Sequence, residues 1–140
     1  MLNRPVKYRV FIVEDHLAMR QAYAALIDRE PNLELCGLAA TAAEALQKIP
    51  ECKPDLALID VSLDGVSGIE LIEQLQRLYP ELLTLIISGH EESFYAQKAI
   101  QAGARGYIMK QRIQLISQAI QDVLNGKIYL SKKMKKSIFG

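Results

Sequence analysis

Short, wholly apolar runs alternate along this chain with segments whose apolar residues recur at helical spacing. Val10-Phe11-Ile12-Val13 is followed at once by Glu14-Asp15, and an unbroken run of that length predicts a strand buried on both faces. Met19, Ala22, Tyr23, Leu26 and Ile27 then fall at i, i+3, i+4, i+7 and i+8, the stripe of a helix lying on a sheet. Pro31-Asn32 closes that segment. Leu33 to Ala39 alternates, as a strand with one more exposed face does. Thr41 and Glu44 have capping-box spacing. They predict a helix that buries Ala42, Ala45, Leu46 and Ile49 and stops by Pro50.

The pattern continues with a buried strand, Leu56-Ala57-Leu58-Ile59, that ends at Asp60. Leu71, Ile72, Leu75 and Leu78 give a helical face before Pro80, and Leu82 to Ile87 is another buried run, ending at Ser88-Gly89. Ala96, Ala99 and Ile100 mark a helix closed by Gly103. Gly106-Tyr107-Ile108-Met109 is the last strand, ending at Lys110, and Ile113, Ile116, Ile120, Val123 and Leu124 form the last helix. Strict alternation of strand and helix implies parallel strands joined by right-handed crossovers, with helices on both faces. With the alternating strand at an edge, the expected fold is an α/β doubly wound sheet of five parallel strands and five helices. Its expected order is 2-1-3-4-5, a flavodoxin-like arrangement.

In such a sheet the carboxyl ends of the strands share one rim, and ligands bind there. The residues that close the apolar runs are Glu14-Asp15, Asp60, Ser88 and Lys110. Neighbouring strands lie about 4.8 Å apart, so three carboxylates, a hydroxyl and an ammonium meet on that rim. Carboxylates this close repel one another, and a hard divalent cation such as Mg²⁺ removes the penalty. The set suits a phosphoryl group on Asp60. The carboxylate attacks phosphorus, while the cation and Lys110 offset charge on the equatorial oxygens. Each residue alone has a plainer reading. Asp15 could cap the first helix, Lys110 could be a solvated helix-start residue and Tyr107 a core residue of an edge strand. Their joint placement outweighs those readings.

Composition narrows the field. The 140 residues carry a formal net charge of +1, so no global field favours nucleic acid or acidic lipid. The tail, however, holds Lys127, Lys132, Lys133, Lys135 and Lys136 with no acid after Asp122, and reads as a solvated linker. Cys36 and Cys52 form no CxxC, so a metal or redox motif is not indicated. His16 and His90 are not spaced as a metal pair and read as loop residues. Residues 1–9 lack an apolar signal-peptide core, and no apolar run approaches the ~20 residues of a membrane span. The expected location is the cytoplasm.

Over residues 7–126 the chain resembles the receiver domain of two-component response regulators. The resemblance rests on Val10-Phe11-Ile12-Val13-Glu14-Asp15-His16, on Asp55-Leu56-Ala57-Leu58-Ile59-Asp60, and on Gly103-Ala104-Arg105-Gly106-Tyr107-Ile108-Met109-Lys110. It implies that Glu14, Asp15, Asp60 and the backbone carbonyl of Ser62 hold Mg²⁺. It further implies that Asp60 is the phosphoacceptor, served by a sensor histidine kinase. Ser88 and Lys110 would stabilise the phosphoryl group, Tyr107 would turn inward in response, and Ser62 and His90 would tune its lifetime. Such a domain catalyses its own phosphorylation and dephosphorylation and is otherwise not an enzyme. Homodimers on phosphorylation are a further implication.

Asn125-Gly126-Lys127-Ile128-Tyr129-Leu130-Ser131 is similar to the linker of LuxR-type transcription regulators, which carry a helix-turn-helix domain beyond it. Residues 127–140 are therefore expected to lead to a DNA-binding domain absent from this chain; a stand-alone adaptor is the alternative. Two departures from the family pattern stand out: Asp64 where Pro is frequent, which should change the loop and its metal affinity, and Gln111 in place of Pro after Lys110. A phosphatase of the haloacid dehalogenase type needs a second Asp two residues after the first, where this chain has Ser62. A flavodoxin-like FMN carrier would find its phosphate repelled by Glu14-Asp15. A pseudo-receiver, binding without phosphorylation, would not need the complete set.

Overall fold

The strands form where the apolar runs stand, and every second side chain faces the opposite layer of helices. The computed structural model describes residues 7–63 and 65–140, so expectations attached to residues 1–6 and to Asp64 lie outside the described residues. The elements are β1 (Tyr8–Val13), α1 (Leu17–Asp28), β2 (Leu33–Ala39), α2 (Ala42–Cys52), β3 (Leu56–Asp60) and α3 (Gly68–Leu78). They continue with β4 (Leu83–Ser88), α4 (Glu92–Ala102), β5 (Tyr107–Met109), α5 (Ile116–Leu124) and α6 (Lys132–Phe139). A small hairpin, Ser62–Leu63 with Val66–Ser67, separates β3 from α3, and a 3-10 turn, Lys110–Leu115, precedes α5.

The five strands are all parallel, in the order β2-β1-β3-β4-β5. Phe11, Val13, Ala57, Ile59, Ile86 and Tyr107 meet α2, α3 and α4 on one face. Val10, Ile12, Leu58, Leu85, Ile87 and Ile108 meet α1 and α5 on the other. Burial on both faces is why these strands read as continuous apolar runs rather than alternating ones.

Two local expectations change. α2 does not stop by Pro50 but runs on to Cys52. A proline in the last turn forfeits one backbone bond, and the helix closes when Lys53 takes left-handed backbone, φ 50°, and donates its N–H to Ile49. The tail is not a free linker either, for it forms α6, a sixth helix beyond the five expected. Ser131 caps it, with Met134 N–H donated to its hydroxyl at 3.1 Å. Leu130 and Met134 are buried and join the core that holds Tyr107. Met134 and Ile138, four apart, make a narrow apolar stripe that the surrounding lysines conceal in the sequence. Lys132, Lys133, Lys135 and Lys136 themselves are exposed, as a solvated face requires. Among the described residues no helix is long and apolar enough to cross a membrane.

Candidate functional site

Side-chain alternation along the strands delivers the polar residues to one place. Glu14 continues the series Val10, Ile12; Asp60 continues Leu56, Leu58; and Lys110 follows Ile108 by two. All three therefore leave the sheet toward the α1 and α5 side. The Glu14 backbone stays in the ladder, its N–H bonded to Ala39 O at 3.0 Å. Glu14 is 0% exposed and Asp60 1%.

Lys110 joins the two carboxylates. Its Nζ lies 3.0 Å from Asp60 Oδ2 and 3.5 Å from Glu14 Oε1. The other Asp60 oxygen, Oδ1, accepts the Ser62 N–H at 3.1 Å. The other Glu14 oxygen, Oε2, accepts the His16 N–H at 3.1 Å. Burial first, and then neighbouring Asp60, push the Glu14 carboxyl up to about 7, against the opposing pull of the His16 N–H and Lys110. Burial pulls the Lys110 ammonium down, but Asp60 and Glu14 outweigh that and hold it above its ordinary value.

Asp15 does not cap α1. His16 occupies the cap position, and no side chain makes a cap hydrogen bond there. Instead Asp15 turns an oxygen, Oδ1, into a buried position where it accepts no hydrogen bond from any described residue. Glu14, Asp15 and His16 each place one ligand atom within 4.8 Å of the others. A buried carboxylate oxygen that accepts no hydrogen bond, with the exposed His16 imidazole 3.3 Å away and the buried Glu14 carboxylate beside it, fits a hard divalent cation. Asp60 is tied to that group through Lys110.

Ser88, at the end of β4, is fully buried, and its hydroxyl accepts the His90 N–H at 3.0 Å. Tyr107 was expected to turn inward on phosphorylation; here the ring already lies inward, 2% exposed. Its hydroxyl donates to the His90 carbonyl at 3.0 Å, with the Glu91 carbonyl at 3.4 Å. The imidazole of His90 is exposed and meets Tyr95 edge-on. Ser62 is exposed at the start of the small hairpin.

Four residues of the site escaped the sequence reading. Arg20 Nη1 donates to the Glu14 carbonyl at 2.7 Å, and Tyr23 OH donates to Glu14 Oε1 at 3.2 Å. His16, read as a loop residue, brings Nδ1 to 3.3 Å from Asp15 Oδ1. Gly68 starts α3 directly over Asp60, where a Cβ would stand 2.1 Å from the Asp60 carbonyl oxygen. A signal existed for Tyr23, since a phenol in a buried helical stripe needs an acceptor. None existed for Gly68, because the close approach arises from the return of the hairpin.

The pattern of the family described as response regulator receiver domain matches residues 10–121. The DNA-binding transcriptional activator DevR/DosR of Mycobacterium tuberculosis is 34% identical over 126 residues, which cover 89% of this chain and 58% of that protein. The response regulator GacA of Pseudomonas viridiflava is 31% identical over 131 residues, covering 93% and 61%. The chain thus spans about three fifths of the length of these relatives. Among solved structures, a two-component response regulator of the LuxR family from an Aurantimonas species superposes with a TM-score of 0.87 at 33% identity, covering 94% of this chain and 95% of that one.

Proposed function

We propose, since the chain belongs to the response regulator receiver domain family, that it is a phosphorylation-dependent switch in which Asp60 accepts a phosphoryl group from the phosphohistidine of a sensor kinase. An Asp60 carboxylate oxygen forms the new O–P bond while the P–N bond to the kinase imidazole breaks. The electron pair leaves with the imidazole, which takes up a proton. Water later attacks the acyl phosphate, releases inorganic phosphate and restores the carboxylate. Mg²⁺, held by Glu14, Asp15, Asp60 and the Ser62 carbonyl, would supply charge neutralisation for the transferring group.

The observation that carries this reading is the chain Glu14–Lys110–Asp60, with 3.5 and 3.0 Å separations, between segments almost a hundred residues apart. Lys110 is in place to follow negative charge as it builds on a phosphoryl oxygen. Ser88, at the end of the adjacent strand, is placed to donate to the same group. Its hydroxyl already touches the loop whose His90 carbonyl holds Tyr107. Ser62 and His90, on either side of the site, are assigned to phosphoryl lifetime. The state of Asp60 is thereby linked to the face formed by α4 and β5 as a shift between conformers. We assign the output to transcription control through a helix-turn-helix domain outside this sequence, in the cytoplasm, with dimerisation on phosphorylation.

Incubation with acetyl phosphate and Mg²⁺ should add one acid-labile phosphate to the protein, read by intact mass. Asp60→Asn should abolish it. A label that persists in Asp60→Asn would reject the assignment.

A further inference from the structure

Two residues of α1, one turn apart, reach back to Glu14. Arg20 holds its backbone carbonyl at 2.7 Å and Tyr23 its side chain at 3.2 Å. Tyr23 and Glu14 are both 0% exposed, so no water competes for this hydrogen bond. The rest of the Glu14 carboxylate is accounted for: Oε2 takes the His16 N–H, and Oε1 shares Lys110 with Asp60. Lys110 stands nearer to Asp60, at 3.0 Å, than to Glu14, at 3.5 Å. The phenol supplies Glu14 with a buried donor of its own.

We propose that Tyr23 is a positioning residue of the phosphorylation site: its hydroxyl fixes the Glu14 carboxylate for a divalent cation. This rests on the receiver reading given above. Groups that orient a metal-binding carboxylate typically change metal affinity by about 10- to 100-fold when removed. Tyr23→Phe deletes the hydroxyl and keeps the ring in the core beneath α1. It should weaken Mn²⁺ binding, followed through the free-ion electron paramagnetic resonance signal, by about tenfold. The Mg²⁺ concentration for half-maximal labelling by acetyl phosphate should rise by the same factor, while the rate at saturating Mg²⁺ changes less than about twofold.

A double-mutant cycle separates positioning from packing. In a Glu14→Ala background, which removes both the carboxylate and the acceptor, Tyr23→Phe should cause no further loss of Mn²⁺ affinity. Unchanged Mn²⁺ affinity in Tyr23→Phe overturns the proposal. So does an equal loss of labelling rate at all Mg²⁺ concentrations, or an effect of undiminished size in the Glu14→Ala background; a Tyr23→Phe chain that does not fold makes Tyr23 a packing residue and overturns it too. If the wild-type chain takes no phosphate, the receiver reading fails, but the Mn²⁺ titration still decides what Tyr23 does.

Discussion

Glu14→Gln removes a buried negative charge with almost no change in shape, and its effect on stability can be worked out from the site. In the folded chain the Glu14 carboxyl is raised from its ordinary 4.5 to about 7, first by burial and then by Asp60. Below pH 4.5 the folded and unfolded chains both hold this proton, and its contribution to stability is fully present. As pH rises from 4.5 toward 7 the unfolded chain releases the proton and the folded chain keeps it, so stability falls. Above about 7 both are ionised and the loss is complete. At 1.36 kcal/mol per pH unit the interval amounts to about 3 kcal/mol. The neutral amide that replaces the carboxyl carries no such penalty and keeps an acceptor for the Tyr23 hydroxyl. In EDTA at pH 8 the variant should therefore exceed the wild type by up to about 3 kcal/mol, roughly 10 °C in Tm for a chain of this size. The two should converge below about pH 4.5. Urea or thermal melts from about pH 4 to 8, compared as a difference curve, measure this. Mg²⁺ at pH 8 should raise the wild type and barely move the variant. Parallel pH curves, or a variant less stable than the wild type at pH 8, would refute the idea that Glu14 is a strained buried charge.

Thr84 is 1% exposed in β4, and its hydroxyl has no hydrogen-bond partner among the described residues; Thr84→Val should therefore raise stability by about 1 kcal/mol, checked by urea melts. Gly68→Ala would place a methyl 2.1 Å from the Asp60 carbonyl oxygen. It should cost more than about 2 kcal/mol and slow acetyl phosphate labelling, because the backbone that must yield is that of the acceptor itself. Gly65→Ala, at φ +78° with open space around its Cβ, should cost only about 1 kcal/mol and serves as the control.

The sheet was legible in the residues because four of its five strands are buried on both faces. A segment such as Leu56-Ala57-Leu58-Ile59 has little alternative to a central parallel strand, and alternation with helical stripes leaves few topologies. The carboxyl-end rim follows from parallelism, so Glu14, Asp15, Asp60, Ser88 and Lys110 were expected there before any distance was known; the contacts shown join Glu14, Lys110 and Asp60. Periodicity records which side of an element is covered; it does not record which polar tip meets which. That Lys110 lies between two carboxylates, that Tyr23 commits its hydroxyl to Glu14, and that Gly68 passes over Asp60 depend on ångström-scale distances between segments remote in sequence. The tail shows the same division. Its lysines announce a wet surface, and the chain does present them to water, but the docking of Met134 beside the Tyr107 core needs a complementary surface that only the assembled α4 and β5 provide. Local composition determined the elements and their shared rim; the burial and pairing of charges, which set the chemistry, were decided by tertiary packing, because desolvation exists only once the neighbours are in place.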